Sequence, residues 1–356
     1  MKHLKLFTGI SLGIGLLAAN LPAQTDAPYK VLDTTQLMGS GGTDYVYADN
    51  DGRRVYVMRG NAALVFDLDS HKYIGSITNI SGHGVAVDTK SHHGFSSGPQ
   101  IGMFDTETMQ KIKSIEVQGR PDGILFEPFT DKIYVLSHES PNLTVIDPMD
   151  GTVAGTLDLG GSPEQAQSDG QGHLYVDLED KDSVAVVDVK AMKVTATYGL
   201  QGKGAGPGGL GLDAKNHVLF VMCHEPSVCV ILNADNGTIL ATLPTGNGTD
   251  GGGFNPNTME AFSSQRDGTL TIIKENSPTD FAVEQTVQTK AGCRTSTLDT
   301  KNNHIVLICT ERPAGTNAAP AQVASTTSTN QPAAAPRNRR YNGPAWMDVL
   351  FVGRQN

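Results

Sequence analysis

The chain has 356 residues and a formal net charge of −10, with 40 glycines, four cysteines and one tryptophan. An acidic balance argues against nucleic acid and against anionic lipid surfaces, because both need clustered cations. The glycine content favours a turn-rich, all-β chain, and the length fits one large domain as readily as two.

Residues 1–23 read as a secretory signal peptide. Lys2 and Lys5 supply the positive start, Leu6 to Ala19 an apolar stretch, and Leu21-Pro22-Ala23 a cleavage site. The apolar stretch is too short to span a bilayer comfortably. Removing Lys2 and Lys5 takes the formal charge from −10 to −12. The remainder, residues 24–356, is expected to be a soluble periplasmic or secreted single domain with no membrane span.

From Tyr29 to Gly353 the sequence repeats about every 40 residues, the period of a β-propeller blade. Each unit has a Gly-rich lead-in, a short apolar strand, a Tyr-Val type strand and a third strand ending in Asp. Those endings are Asp67, Asp105, Asp147, Asp188 and Asn233, spaced by 38, 42, 41 and 45 residues. In chain order, Tyr29-Lys30-Val31-Leu32-Asp33-Thr34-Thr35 comes first and reads as a lone fourth strand. Second strands follow at Val55-Tyr56-Val57, Ile133-Tyr134-Val135, Leu174-Tyr175-Val176, Leu219-Phe220-Val221 and Ile305-Val306-Leu307. The second unit is degenerate at Gly94-Phe95-Ser96-Ser97. Lead-ins at Gly42, Gly82, Gly119, Gly161, Gly206, Gly246 and Gly292 count seven blades. The last unit lacks a fourth strand, so the segment at Tyr29 is expected to fill it and close the ring. A closed ring offers no obvious edge for self-association, which predicts a monomer.

Residues 313–344 break the period. They are rich in Ala, Pro, Thr, Asn and Gln, carry Arg337, Arg339 and Arg340, and read as a disordered loop inserted in blade seven. The four cysteines fall in two local pairs across predicted strand-turn-strand segments. In an oxidising compartment they are expected to form Cys223–Cys229 and Cys293–Cys309. Free or metal-binding thiols are the alternative, although no spacing resembles CxxC.

The units resemble the YncE/YVTN family of seven-bladed β-propellers. The likeness is carried by Tyr134-Val135-Leu136-Ser137 with Val145-Ile146-Asp147, by Tyr175-Val176-Asp177-Leu178 with Val186-Val187-Asp188, and by the lead-in Gly119-Arg120-Pro121-Asp122-Gly123. The Thr-Asn half of the family's strand motif is absent from every blade. The resemblance therefore implies architecture and leaves activity open.

Two kinds of connection share one face of a four-stranded propeller: the lead-in turns, near the axis, and the turns between second and third strands. The lead-ins contribute Asp44, His83, Asp122, Glu164, Asp250 and Arg294. The outer turns add Arg59, His138, Glu139, Glu179, Asp180, His224, Glu225, Arg266, Glu311 and Arg312. A ring of carboxylates suits Ca²⁺ or another divalent cation through waters, and like charges can also tune acid/base groups. Local turn chemistry is the simpler account of Asp122 and Asp250, since a turn Asp commonly bonds its own backbone. His138-Glu139 and His224-Glu225 suit solvated turns better than a Zn²⁺ site, because adjacent turn residues seldom point the same way. Gly202 to Gly209 lacks the Gly-Lys-Ser/Thr order of a phosphate loop and reads as an inter-blade turn.

These features predict a cell-envelope binding module for a small ligand or a protein, with no assigned cofactor and no catalytic residue. The alternative is a metal-dependent lactone hydrolase, similar in architecture to gluconolactonase-type propellers, in which a divalent ion at the mouth polarises a carbonyl.

Overall fold

The computed structural model describes residues 28–311 and 344–354. The expected signal peptide, Arg312 and nearly all of the expected loop at 313–344 lie outside the described residues. Seven four-stranded antiparallel sheets are arranged as the blades of a β-propeller. Six of them run in simple sequence order from the inner strand outward.

The second strand of each blade lies within its sheet and is covered on both faces. Arg54–Arg59, Lys132–Ser137 and His173–Leu178 are accordingly buried at nearly every position instead of alternating. Tyr56 and Tyr134 fill the seams between neighbouring blades with Val, Leu and Phe side chains. The outer strands alternate: Lys193–Gly199 is exposed at every second residue, which is why such strands leave a weak trace in the sequence. Blade two keeps the architecture despite its short second strand, His93–Ser96. Gly94 is required there because the Phe104 ring lies on it; a Cβ would sit 2.2 Å from the ring edge.

The periodic Asp or Asn closes the third strands of blades one to five with Asx turns. Asp67 Oδ1 accepts from the Ser70 amide at 2.7 Å, Asp105 Oδ1 from Thr108 at 2.7 Å and Asp188 Oδ1 from Ala191 at 2.8 Å. Asn233 does the same with Asn236 at 3.2 Å. The repeat seen in the sequence is thus a repeat of turn chemistry.

Ring closure follows the expected route. Tyr29–Gly39 pairs antiparallel with Ala345–Arg354, from Tyr29 opposite Arg354 to Gly39 opposite Ala345, and forms the outer strand of blade seven. It runs four residues beyond the expected Thr35. Arg59, expected at the mouth, is instead buried at this junction. Its guanidinium donates to the carbonyls of Leu37 at 3.0 Å, Gly39 at 2.8 Å and Ala345 at 2.7 Å.

One of the two expected disulfides is present. Cys293 and Cys309 are bonded, with Cα atoms 4.4 Å apart. The expected Cys223–Cys229 bond is not formed, and both thiols are free and buried. Register is the reason. Cys229 is opposite Met222 and Cys223 is opposite Val228, so the two cysteines are offset by one residue. A one-residue offset turns a side chain to the other face of the sheet. Cys223 packs with Val221 and Val230, whereas Cys229 packs with Phe220 and Ile231 against blade six.

Candidate functional site

The inner strands begin at one mouth of the central channel, and their lead-ins deliver the six predicted polar residues to it. They form a connected chain that passes from blade to blade. Asp250 of blade six is bonded to the Arg294 guanidinium of blade seven. Arg294 Nη2 is 3.1 Å from Asp44 Oδ1 in blade one, and Asp44 Oδ2 is 2.8 Å from His83 Nδ1 in blade two. His83 Nδ1 also lies 3.0 Å from Asp122 Oδ1 in blade three. Asp122 Oδ2 is 3.0 Å from His138 Nε2, which is 3.1 Å from Glu164 Oε2 in blade four.

The chain of contacts breaks at blade five. The lead-in there, Ala205-Gly206-Pro207-Gly208, carries no polar side chain. His224 approaches from the end of Val218–Glu225, but its Nε2 is 3.8 Å from Asp250 Oδ1, too far for a hydrogen bond. That nitrogen is buried without a hydrogen-bond partner.

The local-turn account of Asp122 and Asp250 does not hold. Among the described residues neither carboxylate bonds its own backbone; both face side chains from other connections. His138 likewise is not a solvated turn residue, because it lies between Asp122 and Glu164, whereas Glu139 is largely exposed with Oε1 3.9 Å from Arg120 Nε. The remaining outer-turn residues do not converge. Asp180 caps the Ser162 amide at 2.6 Å, and Glu311 pairs with Lys290 at 2.8 Å. Arg266 approaches the ring only to 3.8 Å from Asp250.

The electrostatics follow from the contacts. Burial alone would raise the Asp122 carboxyl, but the hydrogen bond from His138 and the nearby His83, His138 and Arg120 outweigh it and hold it below the usual range. Hydrogen bonds to Asp122 and Glu164 push the His138 imidazole up to about 10. The Arg120 guanidinium acts against this, lying 2.7 Å from His138 Nδ1. A guanidinium only donates, so Nδ1 is the bare acceptor and the ring proton sits on Nε2 between the carboxylates. A doubly protonated ring would have to release Arg120.

Three residues outside the predicted set complete the mouth. Arg120 stands beside Asp122 in the same lead-in and orients His138. Tyr45 reaches across the channel from blade one, donating from its hydroxyl to Glu164 Oε1 at 3.0 Å. Gln165 Oε1 accepts from the Leu210 amide at 3.0 Å and the Gly252 amide at 3.3 Å, tying blade four to blades five and six. Tyr45 and Gln165 directly follow predicted residues and Arg120 lies two positions before one, the one signal that could have found them. Below Tyr45 and Gln165 the channel opens into a cavity of about 470 Å³ lined partly by Gly84, Gly123, Gly252 and Ser296.

No family model and no curated protein matches the chain. Solved structures do. A chain of the crystal structure of the mitotic checkpoint complex superposes with a TM-score of 0.68 at 12% identity, covering 85% of this chain and 95% of that one. The structure of U3-55K gives a TM-score of 0.65 at 10% identity, covering 91% and 99%. The RRP9 WD40 repeats give 0.66 at 11% identity, covering 92% and 98%. At such identities the likeness is one of architecture, and by it the chain is a seven-bladed β-propeller similar in fold to WD40-repeat propellers.

Proposed function

We propose that the protein is an exported, YncE/YVTN-like propeller that serves as a binding module, with the mouth described above as its working surface. The observation that carries this reading is the convergence of polar side chains from six blades on one partly exposed ring. No such ring is needed to close a propeller, because the apolar seams and the strand pairing already do so. The likeness to the RRP9 WD40 repeats and to a chain of the mitotic checkpoint complex supports a partner-binding use of this face. The paired Cys293 and Cys309 support an oxidising compartment and so the export inferred from residues 1–23.

The test is site-specific photo-cross-linking in the producing cells. A cross-linker at Glu139 or Glu225, on the mouth, should yield a discrete adduct. One at Lys215 or Asp131, on the turns at the opposite face, should not. Equal labelling from both faces, or none from the mouth, would sink the reading.

A second reading, the metal-dependent lactone hydrolase, is favoured by one observation. Two trios of imidazole and carboxylate atoms, Asp44-His83-Asp122 and Asp122-His138-Glu164, converge closely enough to hold an ion. Assay of lactone and ester hydrolysis with and without added divalent metal tests it, and metal-independent inactivity would end it.

A further inference from the structure

We propose that His83, His138, Asp44, Asp122 and Glu164 form a binding centre for a divalent first-row transition metal, with Asp122 shared between two adjacent positions. The inference deepens the reading of the mouth as the working surface by giving it a ligand class.

The argument begins with a proton count. His83 Nδ1 faces two carboxylate oxygens, at 2.8 and 3.0 Å. His138 Nε2 faces two more, at 3.0 and 3.1 Å. Each nitrogen carries at most one proton, so at both imidazoles two acceptors compete for a single donor. The carboxylates of one trio also repel one another across the same small space. At each imidazole nitrogen one of the two facing carboxylate oxygens therefore goes without the ring's proton, and each such point is a centre of three converging donor atoms.

A cation relieves both shortages. In each trio the nitrogen and the two oxygens lie within 4.8 Å of one another. Ligand atoms about 2.0–2.2 Å from a common ion fall within that spread. Asp122 turns one oxygen to each imidazole, the disposition of a bridging carboxylate. Asp44 gives Oδ1 to Arg294 and keeps Oδ2 toward His83, so the guanidinium orients this ligand without occupying the ligating atom. Tyr45 does the same for Glu164, bonding Oε1 while Oε2 faces His138.

The donor set selects the ion. Ca²⁺ and Mg²⁺ take oxygen ligands, whereas imidazole with carboxylate suits Zn²⁺, Mn²⁺, Fe²⁺ or Co²⁺. Of the divalent cations expected at the mouth, Ca²⁺ gives way because His83 and His138 converge with the carboxylates. The His83 side chain is 37% exposed.

The test uses the mature chain dialysed against chelator, then titrated with Zn²⁺ by calorimetry and with Co²⁺ by visible absorption. Uptake by the wild type is expected. Asp122→Asn should weaken it by more than about 100-fold, since loss of even an outer-shell partner costs about 10–100-fold. His83→Gln and His138→Gln should each weaken Zn²⁺ binding and alter the Co²⁺ bands, and they keep the question open to test if Asp122→Asn fails to fold. Glu225→Gln, exposed on the same mouth and outside the ring of contacts, should bind as the wild type. No uptake by the wild type, or uptake that all three ligand variants leave unchanged, overturns the proposal. Partner cross-linking from the mouth is read separately, so loss of the metal inference and loss of the binding-module reading are distinguishable.

Discussion

The Arg59 guanidinium in blade one lies 2.7 Å from the Ala345 carbonyl in blade seven, and the same side chain holds Leu37 and Gly39. One buried cation thus bonds both strands of the junction that closes the ring. Replacing it by Met leaves three buried carbonyls without their donors. Hydrogen bonds to charged groups contribute about 1.5–3 kcal/mol each, and orphaned buried acceptors add a penalty. Arg59→Met should lower stability by about 3 kcal/mol or more in urea unfolding, while leaving the mouth residues in place. A loss under about 1 kcal/mol would show that strand pairing alone secures the closure.

The cysteines give a count that is simple to check. A thiol reagent should find no reactive group in the native protein and two after denaturation without reductant. Cys223 and Cys229 are fully buried, and burial pushes the Cys223 thiol up to about 12. Reduction should add two more and lower stability by about 3 kcal/mol, the loop-entropy value for a link spanning 16 residues. No thiols in the unreduced, denatured chain would mean that blade five is cross-linked after all.

Glu275 predicts a pH dependence away from the mouth. Burial raises its carboxyl from the ordinary 4.5 to about 7, the neighbouring Asp213 adds to the rise, and a hydrogen bond from Asn216 partly offsets it. Between these values the folded chain holds a proton that the unfolded chain has lost. Stability is therefore fully supported below pH 4.5 and falls as pH rises through about 7. Glu275→Gln should remove this step, so that its advantage over the wild type grows by roughly 2–3 kcal/mol from acid to mildly alkaline pH. Parallel melting curves of the two proteins across that range would refute the assignment.

Gly123 sits directly after Asp122 where the chain of blade four passes. A Cβ there would stand 2.8 Å from the Glu164 carbonyl oxygen and 3.0 Å from Leu136 Cδ1. Gly123→Ala should fold with a loss of about 1–3 kcal/mol, the usual range for overpacking. Because the obstructing atom is Glu164 backbone, the variant should also draw Glu164 from His138 and weaken Zn²⁺ binding. Unchanged stability together with unchanged metal uptake would show that the two inner strands separate freely.

The count of blades, the closing strand and the face that carries the polar lead-ins were legible in the primary structure, because each rests on short-range chemistry. Asp67, Asp105, Asp147 and Asp188 announce themselves by the turns they cap, and the second strands by being apolar on both faces. The same reasoning failed wherever one residue of register decided the outcome. Cys223 and Cys229 stand six positions apart across a hairpin, a spacing that permits either facing or opposed side chains, and only the pairing of Cys229 with Met222 settles which. Arg59 also lies at the end of its strand as expected, yet turns toward three carbonyls supplied by segments 20 to 286 residues away.

At the mouth, local sequence sufficed to say which residues would gather, since a lead-in turn must deliver its side chain near the axis. It did not contain their partners. That Asp122 would give one oxygen to His83 and the other to His138, with Arg120 on the far nitrogen, depends on how three connections cross in space. Strand period and turn chemistry are properties of neighbouring residues and survive in a linear reading. Ion pairing depends on distances of about 3 Å between residues tens or hundreds of positions apart, and only the closed ring brings those to a value.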